Sequence, residues 1–242
     1  MWGRAMRVLI VQHDEGVHAG RFRGLFAANG LGTTAIIAPE VTEWPAQDSF
    51  DALWVMGGAM QVWETQAYPW LTSEIAFIAD AVNAGKPYFG ICFGHQLLAA
   101  ACGGQVGAAR SRELGLLPIT GGDAVLGAGA EDGREVFQWH SAEVSVVPPG
   151  FRAGWSSPLC AHQTLQGPRG VFSVQFHPEV DLTTLQDWYA IPGVTDDLAA
   201  MGGPDCPDRL IADFTTRAGQ QDALAAELFD NWLRAARTTI AG

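Results

Sequence analysis

Hydrophobic and polar positions along the first part of the chain follow the pattern of a parallel sheet with helices on its faces. Apolar runs short enough to be buried strands lie at residues 7–12, 33–38 and 51–56, and a further one begins at Tyr88. Between these runs, apolar residues recur every three or four positions, which indicates a helix ending near Gly30 and another over residues 70–84. This order predicts an α/β domain with a mostly parallel central sheet.

After residue 104 the pattern changes to short strand-like runs separated by turns rich in glycine and proline. These runs lie at residues 115–119, 135–140, 144–147 and 170–176. They predict an added, antiparallel β section that continues the same domain, because no linker of disordered composition divides the chain.

The last part of the chain is predicted to be mainly helical. Apolar spacing indicates helices at residues 183–189 and 223–236, and we expect the second to pack on a flank of the sheet. The glycines and prolines of residues 191–206 predict a loop that covers the site or a partner surface. We therefore divide the chain into one domain over residues 1–180 and a helical C-terminal extension over residues 181–242, packed on the same domain.

The amino-acid composition limits the classes of binding partner and indicates the cellular compartment of the protein. The 242 residues include 26 acidic and 14 basic side chains, and the net charge of −12 argues against nucleic acid or an anionic membrane as a partner. The four cysteines lack C-x-x-C spacing, so they predict neither a disulfide framework nor a metal site. No apolar segment has the length of a membrane span or of a signal-peptide core. We expect a cytoplasmic protein with reduced thiols.

The strongest local signal for chemistry is the sequence GICFG at residues 90–94. An apolar strand ends here and a helical segment rich in alanine and leucine begins, so Cys92 occupies the sharp turn between them. Glycines on both sides of such a turn let the strands and the helix approach closely. At the first turn of a helix, a cysteine faces unpaired N–H groups and the positive end of the dipole, which favours its thiolate. The alternative for Cys92 is a structural cysteine buried in the core.

The second candidate cluster is the tripeptide His177-Pro178-Glu179, which follows an apolar strand-like run. In extended backbone, side chains two residues apart lie on the same side, so His177 and Glu179 can face one another. Pro178 keeps His177 out of the helical conformation. A carboxylate beside an imidazole fixes its tautomer and stabilises its cation. Strand ends of an α/β sheet collect at one edge, although the tripeptide alone is equally compatible with a structural turn.

Two other predicted strand ends leave alternatives open. Gly57 and Gly58 form either a tight turn or a segment whose backbone N–H groups face a ligand. The polar run after the first strand contains four possible metal ligands, namely His13, Asp14, Glu15 and His18. We interpret this run as a loop before a helix, because metal ligands need convergent spacing.

Residues 90–96 together with residues 176–179 resemble the class I, triad-type glutamine amidotransferases. The likeness extends to stand-alone proteins similar to the amidotransferase domain of GMP synthase. This resemblance implies a flavodoxin-like, three-layer αβα sandwich. It further implies that Cys92 is the nucleophile, that His177 is the general base and acid, and that Glu179 is the orienting carboxylate.

The same resemblance assigns roles to the surrounding residues. It places the oxyanion hole at the backbone N–H groups of Gly58 and Phe93. It assigns substrate binding to Gly57, Gln96, His140 and Ser141. It implies no metal and no organic cofactor.

Three hypotheses for the function follow from these residues and from the resemblance. The first is hydrolysis of the γ-amide of glutamine through a cysteine γ-glutamyl thioester, with the ammonia passed to a separate synthetase. The alternative is a γ-glutamyl peptidase or hydrolase that acts on γ-glutamyl amides other than glutamine. The third is a non-catalytic, redox-sensing relative that keeps the fold and the cysteine.

Overall fold

A seven-stranded sheet forms the centre of the protein, which a computed structural model describes over residues 5–127 and 133–242. The strands are β1 (Arg7–Gln12), β2 (Gly32–Ile37), β3 (Ala52–Val55), β4 (Tyr88–Ile91), β5 (Gln105–Gly121), β6 (Arg134–Val146), β7 (Arg152–Ala153), β8 (Trp155–Ser156), β9 (Thr164–Gln166) and β10 (Val171–Val174). The α-helices are α1 (Phe22–Ala28), α2 (Trp70–Asn83), α3 (Phe93–Ala101), α4 (Leu182–Tyr189), α5 (Val194–Gly202) and α6 (Cys206–Ala241).

The strand order in the central sheet is β2-β1-β3-β4-β10-β9-β7. The pairs from β2 to β10 are parallel, and β9 and β7 add an antiparallel edge. The parallel part has the order of a flavodoxin-like fold, in which ligands bind at the carboxyl ends of the strands. The predicted fold class is therefore confirmed.

The alternating side chains of β3 show how the sheet separates two helical layers. Ala52 and Trp54 pack into the core shared with α1 and α6, whereas Leu53 and Val55 pack into the core shared with α2 and α3. Around Trp54, the first of these cores contains the rings of Phe22, Phe26, Phe89, Phe229 and Trp232. Both faces of the sheet are covered, as the continuous apolar strands predict.

The β section between α3 and β10 is longer and more regular than its sequence pattern predicts. Instead of separate short runs, β5 and β6 form one antiparallel ribbon, and β5 also pairs with β8. The register shifts between Ala108 and Glu113, and the exposed Arg110 and Arg112 interrupt the alternation of apolar and polar residues there. Because of this bulge, the sequence pattern of β5 does not show that it is one continuous strand.

The prediction of a loop over residues 191–206 is wrong, because most of that segment forms α5. The chain turns at Gly193, which has a left-handed φ of 88°, and Asp196 and Asp197 then lie in the first turn of the helix. Carboxylates at this end are stabilised by the helix dipole. The glycines and prolines thus flank a helix rather than interrupting one.

Helix α6 is also longer than predicted, since the predicted residues 223–236 form only its central part. Leu224, Leu228 and Trp232 pack on the flank of the central sheet, as the amphipathic pattern indicates. None of the helices in the described residues is both long enough and apolar enough to cross a membrane.

Candidate active site

Cys92 lies at the end of β4, immediately before the first residue of α3, with φ 51° and ψ −98°. A positive φ is unusual for a residue with a side chain and stores strain in the turn. The glycines on both sides are required by close packing. A Cβ atom on Gly94 would lie 2.1 Å from the carbonyl oxygen of Val55, and one on Gly90 would lie 2.7 Å from the backbone of Gly94. The predicted strand–turn–helix elbow is therefore present.

His177 and Glu179 form a buried hydrogen-bonded pair just after β10. The imidazole Nδ1 donates to Glu179 Oε1 over 2.8 Å, and neither side chain is more than 5% exposed. This geometry leaves the Nε2 side of the ring available for chemistry.

Cys92 follows β4 and His177 follows the neighbouring strand β10, so the two side chains meet at the same edge of the sheet. Burial lowers the pKa of His177, but attraction to Cys92 and Glu179, together with hydrogen bonds to both, raises it well above its ordinary value. Both partners therefore favour the protonated imidazole, which is the form that can act as an acid beside the sulfur.

A pocket of about 440 Å³ is lined by Cys92. The predicted site residues that line it are Gly58, Cys92, Gln96, His140, Ser141 and His177. Glu179 lies behind His177, and the pocket does not include Gly57 or Phe93 among its lining residues. The structure therefore brings the predicted residues to one edge of the sheet.

The Gly57–Gly58 segment follows β3 and lies between the histidine and the elbow. A Cβ atom on Gly57 would lie 3.2 Å from His177 Cε1, and one on Gly58 would lie 3.0 Å from the ring of Phe93. Over residues 5–127 and 133–242, the backbone N–H groups of Gly58 and Phe93 have no hydrogen-bond partner. Both donors are therefore free to bind an oxyanion.

His13 is a residue of this region whose position the sequence analysis did not predict. It is buried, its Nδ1 donates to the carbonyl oxygen of Gly57 over 2.7 Å, and its Nε2 faces Glu74 Oε1 at 3.0 Å. In a trans peptide the C=O and the next N–H point in opposite directions. By holding the carbonyl of Gly57, His13 also fixes the direction of the Gly58 N–H.

The polar loop after β1 does not form a metal site. His13 is directed to Glu74, whereas His18 Nε2 is hydrogen-bonded to Asp187 at 3.0 Å. Within the described residues, the one group with metal-ligand spacing lies elsewhere and does not include this loop. The interpretation of the segment as a loop before a helix is consistent with this arrangement.

The predicted substrate-binding residues are held by a network of buried polar groups. Gln96 Nε2 donates to the carbonyl oxygen of Ala142 and to Gln175 Oε1, each over 3.2 Å. Gln175 Nε2 in turn lies 3.6 Å from the sulfur of Cys92. Gln175 links the wall of the pocket to the sulfur, and the sequence offered no signal for this role.

His140 belongs to a second buried cluster, with Glu113 and Cys160, whose possible ligand atoms all lie within 4.8 Å of one another. His140 Nε2 and Gln163 Nε2 each approach Glu113 Oε2 at 3.0 Å, so the carboxylate is already hydrogen-bonded. Burial raises the pKa of Cys160 to about 12, which keeps it as a neutral thiol. These residues could hold a metal only after losing these bonds, and Cys160 lacks the properties of a nucleophile.

Comparison with known proteins identifies the family. The model of the family described as glutamine amidotransferase class-I matches residues 27–190, more than half of the chain. The strained cysteine elbow and the neighbouring histidine–carboxylate pair define the class of cysteine-dependent α/β proteins. The family match is more specific, and the chain belongs to the class-I glutamine amidotransferase family.

Two curated relatives carry the name GMP synthase (glutamine-hydrolyzing). The Lactococcus lactis protein is 38% identical over 103 residues, which are 42% of this chain and 20% of the relative. The relative from Methanocaldococcus jannaschii, whose name describes it as one subunit of the enzyme, is 39% identical over 103 residues, or 41% of this chain and 54% of the relative. The similarity thus spans about half of the archaeal relative and a fifth of the bacterial one.

Two solved structures share the fold over nearly their whole length. A glutamine amidotransferase from Methylobacillus flagellatus has a TM-score of 0.84 at 25% identity, with 96% of this chain and 95% of that chain covered. One from Thermotoga maritima has a TM-score of 0.82 at 23% identity, with 95% and 98% covered.

Proposed function

We propose that the protein hydrolyses the γ-amide of glutamine through a covalent γ-glutamyl thioester on Cys92. The observation that carries this proposal is the buried His177–Glu179 pair beside a strained cysteine that opens onto a pocket. A histidine held in one tautomer by a carboxylate can move a proton between a sulfur nucleophile and a leaving nitrogen. Family membership supports the same chemistry.

In the first half of the reaction, the Cys92 thiolate adds to the γ-carbonyl carbon and the carbonyl oxygen becomes negatively charged. The free N–H groups of Gly58 and Phe93 are the donors that stabilise this oxyanion. The carbon–nitrogen bond then breaks, and His177 gives its Nε2 proton to the departing ammonia. The product is a γ-glutamyl thioester.

In the second half, water adds to the thioester carbonyl while His177 takes up one of its protons. The carbon–sulfur bond breaks, glutamate leaves and the thiolate is restored. Glu179 keeps the ring orientation throughout and balances its positive charge. The backbone of Ser141 and the side chains of Gln96 and His140 hold the glutamyl group in this proposal, next to Gly57.

The released ammonia is passed to a separate synthetase in this proposal. The archaeal relative supports a separate partner, since its name denotes one component of a larger enzyme. We place the protein in the cytoplasm, and its four cysteines, all free thiols, support a reducing compartment.

The test of this proposal is a time course of glutamate and ammonia released from glutamine by the purified protein. Equal amounts of the two products, formed in proportion to enzyme concentration, are expected. Release of neither product, both alone and with a candidate synthetase added, would contradict the proposal.

His13→Ala is expected to lower kcat for glutamine hydrolysis by about 10²–10³ with little change in KM. The reason is that the Gly58 N–H loses its fixed direction, and one oxyanion donor is worth that factor. His13→Asn is the matched variant, because an asparagine Nδ2 can reach the position of the histidine Nδ1 and bond to the carbonyl of Gly57. We expect His13→Asn to retain most of kcat. Equal losses in the two variants would contradict the orienting role.

Glu74→Ala is expected to destabilise the fold by roughly 1–3 kcal/mol, because it leaves the buried Nε2 of His13 without its hydrogen-bond partner. Both side chains are almost inaccessible to solvent, so water does not replace the lost partner. Urea denaturation measures this change. Glu64→Ala, which removes a carboxylate from the neighbouring loop, is the control and is expected to change stability by less than about 1 kcal/mol.

A further inference from the structure

One wall of the pocket is formed by α4, α5 and the turn between them, and it lies beside the catalytic histidine of the proposed reaction. Trp188 packs edge-on against the ring of His177, with ring centroids 5.2 Å apart, and Trp139 lies 5.5 Å from Trp188. The pocket is lined further along the same segment by Ile191, Val194 and Met201. The wall next to the proton donor is therefore apolar.

The pocket is larger than glutamine requires. Even at the roughly 30 Å³ that a water molecule takes in the liquid, the atoms of glutamine fill about 300 Å³. The cavity has about 440 Å³, which is within the range of sites that enclose larger organic ligands. Space for further substrate atoms remains after a glutamyl group is bound.

The chemistry determines on which side this space is used. The nitrogen that leaves the γ-carbonyl must lie within hydrogen-bond reach of His177, because His177 protonates it. The oxyanion points towards Gly58 and Phe93, which follow β3 and β4 and are not part of the wall formed by α4 and α5. A substituent on the leaving nitrogen therefore extends past His177 and along the wall that contains Trp188.

We propose that this wall is a binding site for the amine portion of the substrate, and that the protein hydrolyses γ-glutamyl amides whose amine is uncharged and apolar. The inference rests on the proposed function, because it uses the same sulfur, histidine and thioester. The charged lining residues Asp14, Arg112 and Asp197 are all solvent-exposed, whereas the wall residue in contact with the His177 ring is the apolar Trp188. The reaction gives the free amine in place of ammonia, and His177 supplies the proton.

Helix α5 has no other assigned role at this position. It lies beyond residues 27–190, which match the family model, yet Val194 and Met201 reach the pocket. Leu198, on the buried face of the same helix, packs in an apolar cluster with Trp188 and Phe137, so the wall has a fixed position. A pre-formed apolar surface binds an alkyl group without the cost of ordering the protein.

The test compares two substrates of nearly equal leaving-group basicity, γ-glutamyl-methylamide and γ-glutamyl-(3-methylbutyl)amide. Their difference in kcat/KM reports contact with the alkyl chain rather than intrinsic reactivity. Each buried methylene raises the binding affinity roughly fourfold. The kcat/KM of the 3-methylbutyl amide is therefore expected to be at least about tenfold higher than that of the methylamide. Glutamine is measured in parallel.

Val194→Asp is the variant that removes the apolar contact. Val194 is the first residue of α5, where a carboxylate is compatible with the helix dipole, so the variant is expected to fold. Thr195→Asp is the matched control, since it adds the same charge one residue further in and Thr195 does not line the pocket. The tenfold preference for the larger amide is expected to disappear in Val194→Asp and to persist in Thr195→Asp.

The outcomes separate this inference from the function on which it rests. Hydrolysis of glutamine with equal kcat/KM for the two amides would overturn the amine site and leave the proposed function intact, and it would indicate an apolar exit for ammonia. A preference that survives Val194→Asp would also overturn the assigned wall. Failure to hydrolyse glutamine and both amides would instead contradict the proposed function itself.

Discussion

Replacing Cys92 with serine or alanine is expected to lower the rate of glutamine hydrolysis by at least about 10⁴-fold, since loss of the nucleophile removes the covalent route. The fold is expected to persist, because the side chain removed is small and borders a pocket. The measurement is kcat/KM for glutamate release, with circular dichroism to confirm the fold.

The control for this prediction is Cys102→Ser. Cys102 is partly buried at the end of α3, and burial raises its pKa to about 11, so it is a poor nucleophile. We expect wild-type activity from this variant. Cys160 and Cys206 are likewise expected to be dispensable for turnover. Loss of turnover in any one of these three variants would contradict the assignment of a single nucleophile.

His177→Ala is expected to cause a loss of similar size, because no group remains to protonate the leaving nitrogen. Glu179→Gln is expected to cost less, since the imidazole survives and loses only its negatively charged partner. The measurement is kcat/KM for glutamine in each variant. His18→Gln is the control, because His18 bonds to Asp187 and does not line the pocket. A Glu179→Gln variant as inactive as His177→Ala would contradict the proposed division of roles.

The interaction of His177 with Glu179 also predicts how activity depends on pH. Burial lowers the pKa of His177, but attraction to Cys92 and Glu179 raises it by more than burial lowers it. Activity that needs the protonated ring is therefore present below the raised pKa and is lost as the pH rises through it. Glu179→Gln removes one of the two attractions, so the alkaline limb of kcat/KM is expected to move to lower pH. An unchanged limb would show that another group controls it.

Much of the site could be predicted because its signals are local in sequence. The elbow at Cys92 is encoded by two glycines within two residues, and each proves necessary for close packing. The pairing of His177 with Glu179 follows from their spacing in extended backbone. The strand order then places both clusters at the same edge, since β4 and β10 are neighbours.

The remaining features depend on contacts between distant parts of the chain. His13 and Glu74 are 61 residues apart, and nothing in their local sequence indicates that one holds the backbone of Gly57. Gln175 likewise reaches the sulfur of Cys92 only through the folding of the sheet. The roles assigned to the oxyanion and substrate-binding residues, and the division of the chain at residue 180, stay predictions.

The most direct test of the account is mass spectrometry of the protein quenched in acid during turnover with glutamine. Acid stops hydrolysis of the thioester, so a mass increase of one γ-glutamyl group is expected on the peptide that contains Cys92. The adduct is expected to be absent from Cys92→Ser and to release glutamate on treatment with hydroxide. Turnover without any such adduct, or an adduct on a different cysteine, would contradict the central claim that Cys92 carries the acyl group.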